Sequence, residues 1–304
     1  MRSMFRLMRT EMALITGASS GIGLELAREF ARHGHPLIIT ATNESELSQV
    51  AEELQREHSI AVHVIAQDLK TPAATEEIFN RAAQIGEVDI LINNAGFGQK
   101  GRFWEIPLER DLGMLRVNVE AVLRLTKLFL PGMIERKRGR ILNTASIAGF
   151  EPGPGLATYH ATKAFVLSLS ESLATELKDS GVTLTALCPG ATDTDFFEKA
   201  DMVNTRIFQK GNVMAPQEVA EAAYKALMNG DRVVITGGVN KAIIYSRHLM
   251  PESAQAKMNE GLYKDVDPEK RKREPGDVAE KKSKRRTGKS PVTQTRSRRQ
   301  TLDE

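Results

Sequence analysis

The sequence predicts an α/β fold in which helices cover both faces of a doubly wound parallel sheet. Seven short apolar runs alternate with helical patterns between residues 12 and 236. Strands that are apolar throughout are typical of a parallel sheet that is buried on both faces. Right-handed crossovers join successive parallel strands and wind such a sheet outward from its centre. We therefore expect a single domain of this class, followed by a helical C-terminal extension.

The predicted elements follow one another in a regular order along the chain. Hydrophobic periodicity sets their limits, and Pro, Gly and Asn mark several of the ends. Strands are expected at 12–15, 36–41, 61–66, 88–92, 140–145, 182–187 and 232–236. Helices are expected at 24–33, 44–57, 108–135, 157–178 and 216–228, and one more begins at 71–72. The extension at 241–262 also has a helical pattern, which Pro251 interrupts.

The composition is that of a globular protein, with 41% hydrophobic and 27% charged residues. Cys188 is the only cysteine, which excludes a disulfide within the chain and fits a reducing compartment. The first ten residues carry three arginines and no long apolar run. We therefore expect a cytoplasmic protein without a signal peptide or transmembrane segment. The histidines show no metal-ligand spacing, so no metal site is expected.

The positive charge of the chain is concentrated in its C-terminal tail. Residues 264–304 contain 14 Lys and Arg against 8 Asp and Glu, whereas the whole chain carries a net +3. The tail has almost no large apolar residues, which predicts disorder. Its basic run at 281–286 fits either a weak contact with nucleic acid or acidic lipid, or a solvated tail. Because no aromatic residues are interleaved for base stacking, we expect no nucleic-acid partner beyond such a contact.

The most informative stretch is the turn at 16–23, which reads Thr-Gly-Ala-Ser-Ser-Gly-Ile-Gly between a strand and a helix. Glycine lacks a Cβ, so this turn can take unusual dihedrals and approach a pyrophosphate closely. The helix that follows offers unpaired N–H groups and the positive end of its dipole to that anion. The alternative is an ordinary tight turn, but the strand–turn–helix context favours a nucleotide site.

A second pattern places Tyr159 and Lys163 four residues apart on one predicted helix, so that they share a face. A tyrosine titrates near about 10. A neighbouring ammonium group, together with a cationic ring of a bound cofactor, lowers the pKa of the phenol toward the range useful for acid–base catalysis. Ser146 follows a predicted strand whose carboxyl end faces the same crevice as the glycine turn. Its hydroxyl can bond a substrate oxygen. The alternative is that all three residues have only structural roles.

Together these motifs resemble the short-chain dehydrogenase/reductase family in its compact single-domain form, over about residues 11–238. The resemblance implies a Rossmann-type fold that transfers a hydride between a nicotinamide cofactor and a carbonyl or alcohol carbon. It implies a catalytic group of Asn118, Ser146, Tyr159 and Lys163. Besides Tyr159 and Lys163, the implied cofactor-binding residues are Gly17, Ser19, Ser20, Gly21, Ile22, Gly23, Thr42, Asp68, Leu69, Asn94, Ala95, Gly96, Pro189, Gly190, Thr192 and Thr194.

The same resemblance implies a role for each catalytic residue. Tyr159 gives or takes the proton, and Ser146 polarises the substrate oxygen. Lys163 holds the ribose hydroxyls and lowers the pKa of Tyr159. Asn118 holds a water molecule that relays the proton to solvent. The cofactor carries the hydride chemistry, and the protein orients it.

The resemblance also divides the chain. We expect an N-terminal extension at 1–11, a dinucleotide-binding catalytic domain with C-terminal helices at 12–262, and a basic, disordered tail at 263–304. In the family, the lateral helices that correspond to 108–135 and 157–178 pair between subunits. We therefore expect a homo-oligomer.

The preference between the two nicotinamide cofactors depends on the end of the second strand. An acid at this point binds the ribose 2′-hydroxyl of NAD and repels the 2′-phosphate of NADP. Here Ala41 ends the strand, and Thr42 and Asn43 follow it. We therefore expect NADP(H) rather than NAD(H), with Thr42 near the ribose. NAD(H) stays open as the alternative, because the arginine that NADP enzymes of the family often carry here is also absent.

Apolar residues in the loops around the expected site bear on the substrate. They are Phe97, Phe150, Leu156, Phe196, Phe197, Met202, Ile207 and Phe208. If they line the pocket, the substrate is a lipophilic carbonyl compound or alcohol. The alternative is that they pack beneath a lid. A different class of function, a non-catalytic nucleotide-binding scaffold or sensor, is disfavoured by the intact serine, tyrosine and lysine.

Overall fold

The computed structural model describes residues 10–247 and 250–280. Seven parallel strands form one sheet in the order β3-β2-β1-β4-β5-β6-β7, which confirms the predicted doubly wound fold. The strands are β1 Met12–Thr16, β2 Leu37–Ala41, β3 Val62–Ala66, β4 Val88–Asn93, β5 Gly139–Thr144, β6 Val182–Cys188 and β7 Val233–Ile235. The predicted limits differ from these by no more than one residue at each end.

Helices cover both faces of this sheet. They are α1 Gly21–Arg32, α2 Glu44–His58, α3 Ala74–Ile85, α4 Leu108–Leu115, α5 Ala121–Glu135, α6 Ala157–Glu176, α7 Phe196–Lys199, α8 Arg206–Lys210, α9 Pro216–Asn229, α10 Gly238–Arg247 and α11 Glu252–Tyr263. Successive side chains of the central strand face opposite sides. Ile15 packs in the core with α1, α2 and α9, whereas Leu14 packs with α3 and α5.

The strand order reverses beside β1, which pairs with β2 on one side and with β4 on the other. The chain runs outward from β1 to β3, returns to β4, and then runs outward to β7. Ligands of such sheets bind at the carboxyl ends of the strands, at the point where the order reverses. Thr16 and Asn93, the last residues of β1 and β4, mark this point.

The long helix predicted at 108–135 is interrupted. A π-helical turn, Arg116–Glu120, separates α4 from α5, and the Ala121 N–H donates to the Arg116 carbonyl across it. Such single turns widen a helix and are frequent at functional sites. Asn118 lies in the middle of this turn.

The third helix begins later than predicted. The Thr71 N–H donates to the Asp68 carbonyl at 2.8 Å, and the Ala74 N–H donates to the Thr71 carbonyl at 3.1 Å. The chain therefore makes two tight turns before α3 begins at Ala74. Pro72 lies in these turns and not at the first position of the helix.

Residues 191–214, which we call the flap, connect β6 to α9 and contain the short helices α7 and α8, which were not predicted. The Met214 N–H donates to the Ala191 carbonyl and the Asp193 N–H donates to the Met214 carbonyl, each at 2.9 Å, which closes the base of the flap. Phe208 is fully buried in an apolar cluster inside it.

The C-terminal extension is helical on both sides of Pro251, as predicted, but the disorder expected beyond it does not hold for residues 264–280. This segment, which we call the strap, packs on the flap. The Arg206 N–H donates to the Lys264 carbonyl at 2.9 Å, and the Val266 N–H donates to the Asn204 carbonyl at 2.8 Å. Composition misses the strap because hydrogen bonds between its backbone and the flap, and not buried apolar side chains, hold most of it.

Two predicted segments lie mostly or wholly outside the described residues. They are the N-terminal extension before residue 10 and the tail at 281–304, which includes the basic run at 281–286. Within the ranges described, no helix combines the length and the apolar character needed to cross a membrane.

Candidate active site

A cleft of about 620 Å³ opens at the carboxyl ends of the strands. Every predicted site residue except Asn118 lines it. The lining residues among those predicted are Gly17, Ser19, Ser20, Gly21, Ile22, Gly23, Thr42, Asp68, Leu69, Asn94, Ala95, Gly96, Ser146, Tyr159, Lys163, Pro189, Gly190, Thr192 and Thr194. Motifs that are far apart in the sequence therefore form one continuous site.

The glycine turn has the geometry that a bound pyrophosphate requires. Gly17 and Gly21 have φ angles of +69° and +57°, in the left-handed region. A Cβ at Gly23 would clash with the Gly17 carbonyl. The N-cap residue of α1, Ser20, makes no side-chain hydrogen bond to the first turn, whereas Asn43 caps α2. The N–H groups at the start of α1 have no side-chain cap, so they can bind an anion in the cleft. The glycine turn and this helix start together fit a dinucleotide.

Thr16, at the end of β1, holds residues 94–96 in place. The family resemblance implies that these residues bind the cofactor. Its hydroxyl accepts hydrogen bonds from the N–H groups of Asn94 and Ala95, both at 2.9 Å. The Asn94 amide donates to the Thr16 carbonyl at 3.1 Å, and the Thr144 hydroxyl donates to Asn94 Oδ1 at 3.3 Å. Strands β1, β4 and β5 are thereby fastened together at the site. The sequence motifs do not predict this role for Thr16.

Lys163 is buried on α6, and its Nζ donates to the Thr144 carbonyl at 2.7 Å. Burial lowers the pKa of this ammonium to about 8. A Cβ on Gly96 would lie 3.4 Å from Lys163 Nζ and 3.2 Å from Asn118 Oδ1. A glycine at position 96 therefore leaves room for the lysine at this edge of the cleft.

Tyr159 lines the cleft together with Ser146, whose hydroxyl acts to lower the pKa of the Tyr159 phenol. Burial has the larger effect and raises the pKa of Tyr159 to about 12. Lys163 Nζ lies 5.8 Å from the centroid of the Tyr159 ring. The lowering predicted from Lys163 together with a cationic nicotinamide ring stays a prediction.

Ser146 itself is held in place by its neighbours. It is buried at the N-terminus of a 3₁₀ turn, Ile147–Phe150, and its Oγ accepts from the Ala148 N–H at 3.1 Å. The same hydroxyl donates to the Pro189 carbonyl at 3.4 Å. The serine that interacts with Tyr159 is thus fixed between β5 and the end of β6.

Asn118 lies behind the cleft and does not line it. Its Nδ2 donates to the Phe97 carbonyl at 3.0 Å and to the Thr162 hydroxyl at 3.1 Å. Its Oδ1 accepts from the Phe97 N–H at 3.1 Å. Both ends of the amide therefore hold the segment after β4, and the water-holding role stays a prediction.

The flap closes the cleft above the glycine turn. A Cβ on Gly21 would lie 3.1 Å from both Thr194 Cβ and Thr194 Cγ2, so this threonine contacts the turn. Thr192, Pro189 and Gly190 line the cleft between the flap and β6. On the far side, the Asp68 carboxylate accepts from the Lys70 N–H at 2.9 Å, which shapes the turn after β3.

The apolar wall of the cleft differs in part from the predicted set. Six of the eight predicted residues line it: Phe97, Leu156, Phe196, Phe197, Met202 and Ile207. Phe208 and Phe150 do not, because Phe208 is fully buried inside the flap and Phe150 packs on the core around α6 and β6. The C-terminal helices supply residues that the motif analysis missed: Asn240, Ile243, Asn259, Leu262 and Tyr263. The only indication of these residues in the sequence is the apolar pattern of the C-terminal extension.

Next to Tyr159, His160 connects the site to the C-terminal helix α11. One ring nitrogen lies 2.8 Å from the Glu151 carbonyl, and the other lies 2.7 Å from the Tyr263 hydroxyl. Burial lowers the pKa of His160 to about 4, so the ring is neutral near pH 7. Across the ranges that the structure describes, no group of three or more His, Cys, Asp or Glu side chains is arranged to hold a metal ion.

The family described as short chain dehydrogenase matches residues 11–204, which include the glycine turn and the Ser146, Tyr159 and Lys163 group. The chain belongs to this family. An uncharacterized oxidoreductase of Staphylococcus saprophyticus is 32% identical to it over 74% of this chain and 94% of the relative. The family, the fold and the cleft together make this protein an NAD(P)-dependent oxidoreductase, and no observation favours a non-catalytic scaffold.

Two solved structures of short-chain dehydrogenases are similar over most of the chain. One, from Sphingobium yanoikuyae in complex with NADPH, is 33% identical with a TM-score of 0.72, and the match covers 85% of this chain and 97% of the other. The second, from Burkholderia phymatum in complex with NAD, is 26% identical with a TM-score of 0.70, and covers 87% and 99%. Structures similar to this chain thus bind either nicotinamide cofactor.

Proposed function

We propose that this dehydrogenase uses Tyr159 as its acid–base residue on a carbonyl or alcohol. The observation that carries the proposal is that Ser146, Tyr159 and Lys163 line the same cleft, which begins at the glycine turn. With a pKa near 12, Tyr159 is a phenol at neutral pH and can donate its proton to a carbonyl oxygen during reduction. Ser146 polarises the same oxygen.

The cofactor, when bound, supplies or accepts the hydride. The N–H groups at the start of α1 hold its pyrophosphate, and Lys163 holds its ribose hydroxyls. The flap threonines, Thr192 and Thr194, hold the nicotinamide carboxamide. Asn118 keeps the Phe97 segment in place beside Lys163 and takes part in the proton relay.

We propose NADP(H) as the preferred cofactor. Ala41 ends β2 and leaves no acid to repel a 2′-phosphate, and Thr42 lines the cleft beside it. The Asn43 side chain accepts from the N–H groups of Ser45 and Glu46, so the start of α2 is already capped. NADP(H) is thus favoured by the missing repulsion alone, because no basic residue follows β2 directly.

We propose a lipophilic substrate. The six apolar residues of the cleft wall named above face the space beside Tyr159, and Ile243 and Leu262 extend this wall. Burying such a surface against an apolar ligand contributes about 25 cal/mol per Å² of apolar area removed from water. We further propose that the protein acts in the cytoplasm as a homo-oligomer.

A panel of carbonyl substrates, run separately with NADPH and NADH, tests the reaction class, the cofactor and the substrate class together. We expect faster turnover with NADPH and with bulky apolar ketones or aldehydes. A preference for NADH, or for small polar carbonyl compounds, would contradict the corresponding proposal.

The variant Tyr159→Phe tests the acid–base role. It removes only the hydroxyl, so we expect reduction to fall by at least about a hundredfold, the usual contribution of general acid catalysis. Cofactor affinity, measured by the fluorescence of bound NADPH, should change little. Undiminished turnover in this variant would remove Tyr159 from the mechanism.

A further inference from the structure

Two cations, Lys70 and Arg110, flank the ring of Phe97 inside the cleft. Lys70 Nζ lies 5.2 Å from the ring centroid, and Arg110 Cζ lies 5.1 Å from it. Both distances are within the range of a cation–π contact. All three residues line the cleft, so the two charges face the space in which a ligand binds.

Neighbouring groups hold these three residues in place. Asn118 holds the Phe97 backbone from both sides. Arg110 Nε donates to Gln99 Oε1 at 3.0 Å, and another guanidinium nitrogen donates to the Lys199 carbonyl at 3.4 Å. A Cβ on Gly113 would lie 3.7 Å from Phe97 Cζ and 3.8 Å from Lys70 Cε, so the ring and the lysine stem lie over the same glycine of α4.

Two of the carboxylates that line the cleft, those of Asp68 and Asp195, have contacts other than an ion pair with these cations. Asp195 pairs with Lys199 at 3.4 Å, and Asp68 accepts from the backbone N–H of Lys70. In the described part of the chain, neither Lys70 nor Arg110 forms an ion pair with a carboxylate. The contacts of Arg110 are to an amide oxygen, a carbonyl and a ring, and none of these carries a negative charge. Two positive charges beside one ring favour an anion that both of them can reach.

The cation pair lies near the groups proposed to carry out the reaction. Gly98 directly follows Phe97, and a Cβ on Gly98 would lie 3.3 Å from Tyr159 Cδ2 and 2.8 Å from Phe196 Cζ. Consecutive Cα atoms are about 3.8 Å apart. Because Tyr159, Lys70 and Arg110 all line this cleft, one ligand of suitable length can reach both Tyr159 and the two cations.

We propose that Lys70 and Arg110 form a subsite for a carboxylate on the substrate, so that the preferred substrate is an apolar oxo acid or hydroxy acid rather than a neutral lipid. This inference rests on the proposed function, because it assumes reduction at Tyr159. Among the described residues Arg110 Nη1 has no hydrogen-bond partner and can donate to a carboxylate oxygen, and Lys70 adds a point charge. Phe97 orients both cations and adds apolar surface beside the chain of the acid.

Paired substrates test the subsite in the full-length enzyme. The probes are a series of ω-oxo fatty acids of increasing length, each compared with its methyl ester. We expect the native enzyme to favour the acid at one chain length by about tenfold in kcat/KM, and to lose this preference as salt screens the cations. In Lys70→Gln and in Arg110→Gln the ratio of acid to ester should fall severalfold, and in the double variant it should approach one. Arg110→Lys should retain part of the preference.

Arg102→Gln is the matched control, because Arg102 also stacks on an aromatic ring, that of Trp104 at 5.7 Å, but does not line the cleft. It should leave the acid-to-ester ratio unchanged. An equal preference in the native enzyme and in the double variant would overturn the subsite. A loss of NADPH affinity in the double variant, with the ratio unchanged, would also overturn it and assign the cations to a cofactor phosphate. Failure to reduce both acid and ester would instead count against the proposed lipophilic substrate.

Discussion

At the scale of single residues, burial decides which groups at the site are charged. It raises the pKa of Tyr159 to about 12 and lowers the pKa of Lys163 to about 8. Both shifts favour the neutral form, because a charge inside the protein loses its hydration. Helical spacing predicts that the two side chains are neighbours, but it cannot predict the direction in which the pKa of Tyr159 moves. That direction depends on burial against the flap, which is distant in sequence.

His160 gives a prediction of stability against pH. Its pKa is about 4 in the folded protein and about 6.5 when unfolded, so the unfolded chain binds a proton first as the pH falls. The stability that this histidine contributes is full above about pH 6.5 and is lost progressively toward pH 4. The loss amounts to a few kcal/mol at most, because a tenfold difference in proton affinity between the two states corresponds to about 1.4 kcal/mol.

Urea unfolding of native protein and His160→Gln at a series of pH values measures this effect. The native protein should lose more free energy of unfolding than the variant between about pH 6.5 and pH 4.5. His33→Gln, at an exposed position just after α1, is the control and should follow the native curve more closely. Parallel curves for native protein and His160→Gln would show that His160 does not titrate as stated.

At the scale of elements, the strap holds the flap, which lines the cleft, in place through hydrogen bonds. The Asp193 carboxylate is buried and accepts from the N–H groups of Gly276, Val278 and Ala279 at 2.9, 2.8 and 3.2 Å. Gln209 Oε1 accepts from the N–H groups of Lys272 and Arg273 at 2.8 and 3.0 Å. Asp193, which directly precedes the predicted cofactor contact Thr194, is thus held by the strap. Neither contact has a local sequence signal, because the partners are more than sixty residues apart.

Replacing Asp193 by Asn should loosen the strap. The variant keeps the size of the side chain but loses one acceptor oxygen and the charge, and hydrogen bonds to a charged group contribute about 1.5–3 kcal/mol. We expect faster hydrogen exchange of the amides at 276–279 and in the flap, and a higher KM for the substrate. Glu274→Gln, at an exposed position of the strap, is the matched control. Unchanged exchange in Asp193→Asn would show that the strap is held without this carboxylate.

At the scale of the whole molecule, the lateral helices leave apolar side chains in solvent. Leu115 on α4 and Phe165 on α6 are 41% and 40% exposed, and the two helices pack against each other. Exposed apolar groups of this kind commonly mark a contact between subunits. They support the proposed homo-oligomer through the same helices that the family resemblance indicates.

Light scattering on purified protein measures the assembly. We expect a mass of two or more chains for native protein, and dissociation toward a monomer in Leu115→Glu/Phe165→Glu, because each buried carboxylate costs several kcal/mol. Tyr245→Glu, at a position 68% exposed on α10, is the control and should leave the mass unchanged. A native monomer would contradict the proposal, and an unchanged mass in the double variant would place the contact elsewhere.

The sequence by itself determined the fold class, the strand limits to within one residue, and the line of motifs that meets at the cleft. These follow from local periodicity and from the rule that parallel strands present their carboxyl ends at one edge. Only the tertiary structure decided the break at Arg116–Glu120, the raised pKa of Tyr159, the attachment of the strap and the pairing of Lys70 with Arg110 across Phe97. Each of these depends on burial or on contacts between segments distant in sequence, which periodicity and spacing do not encode.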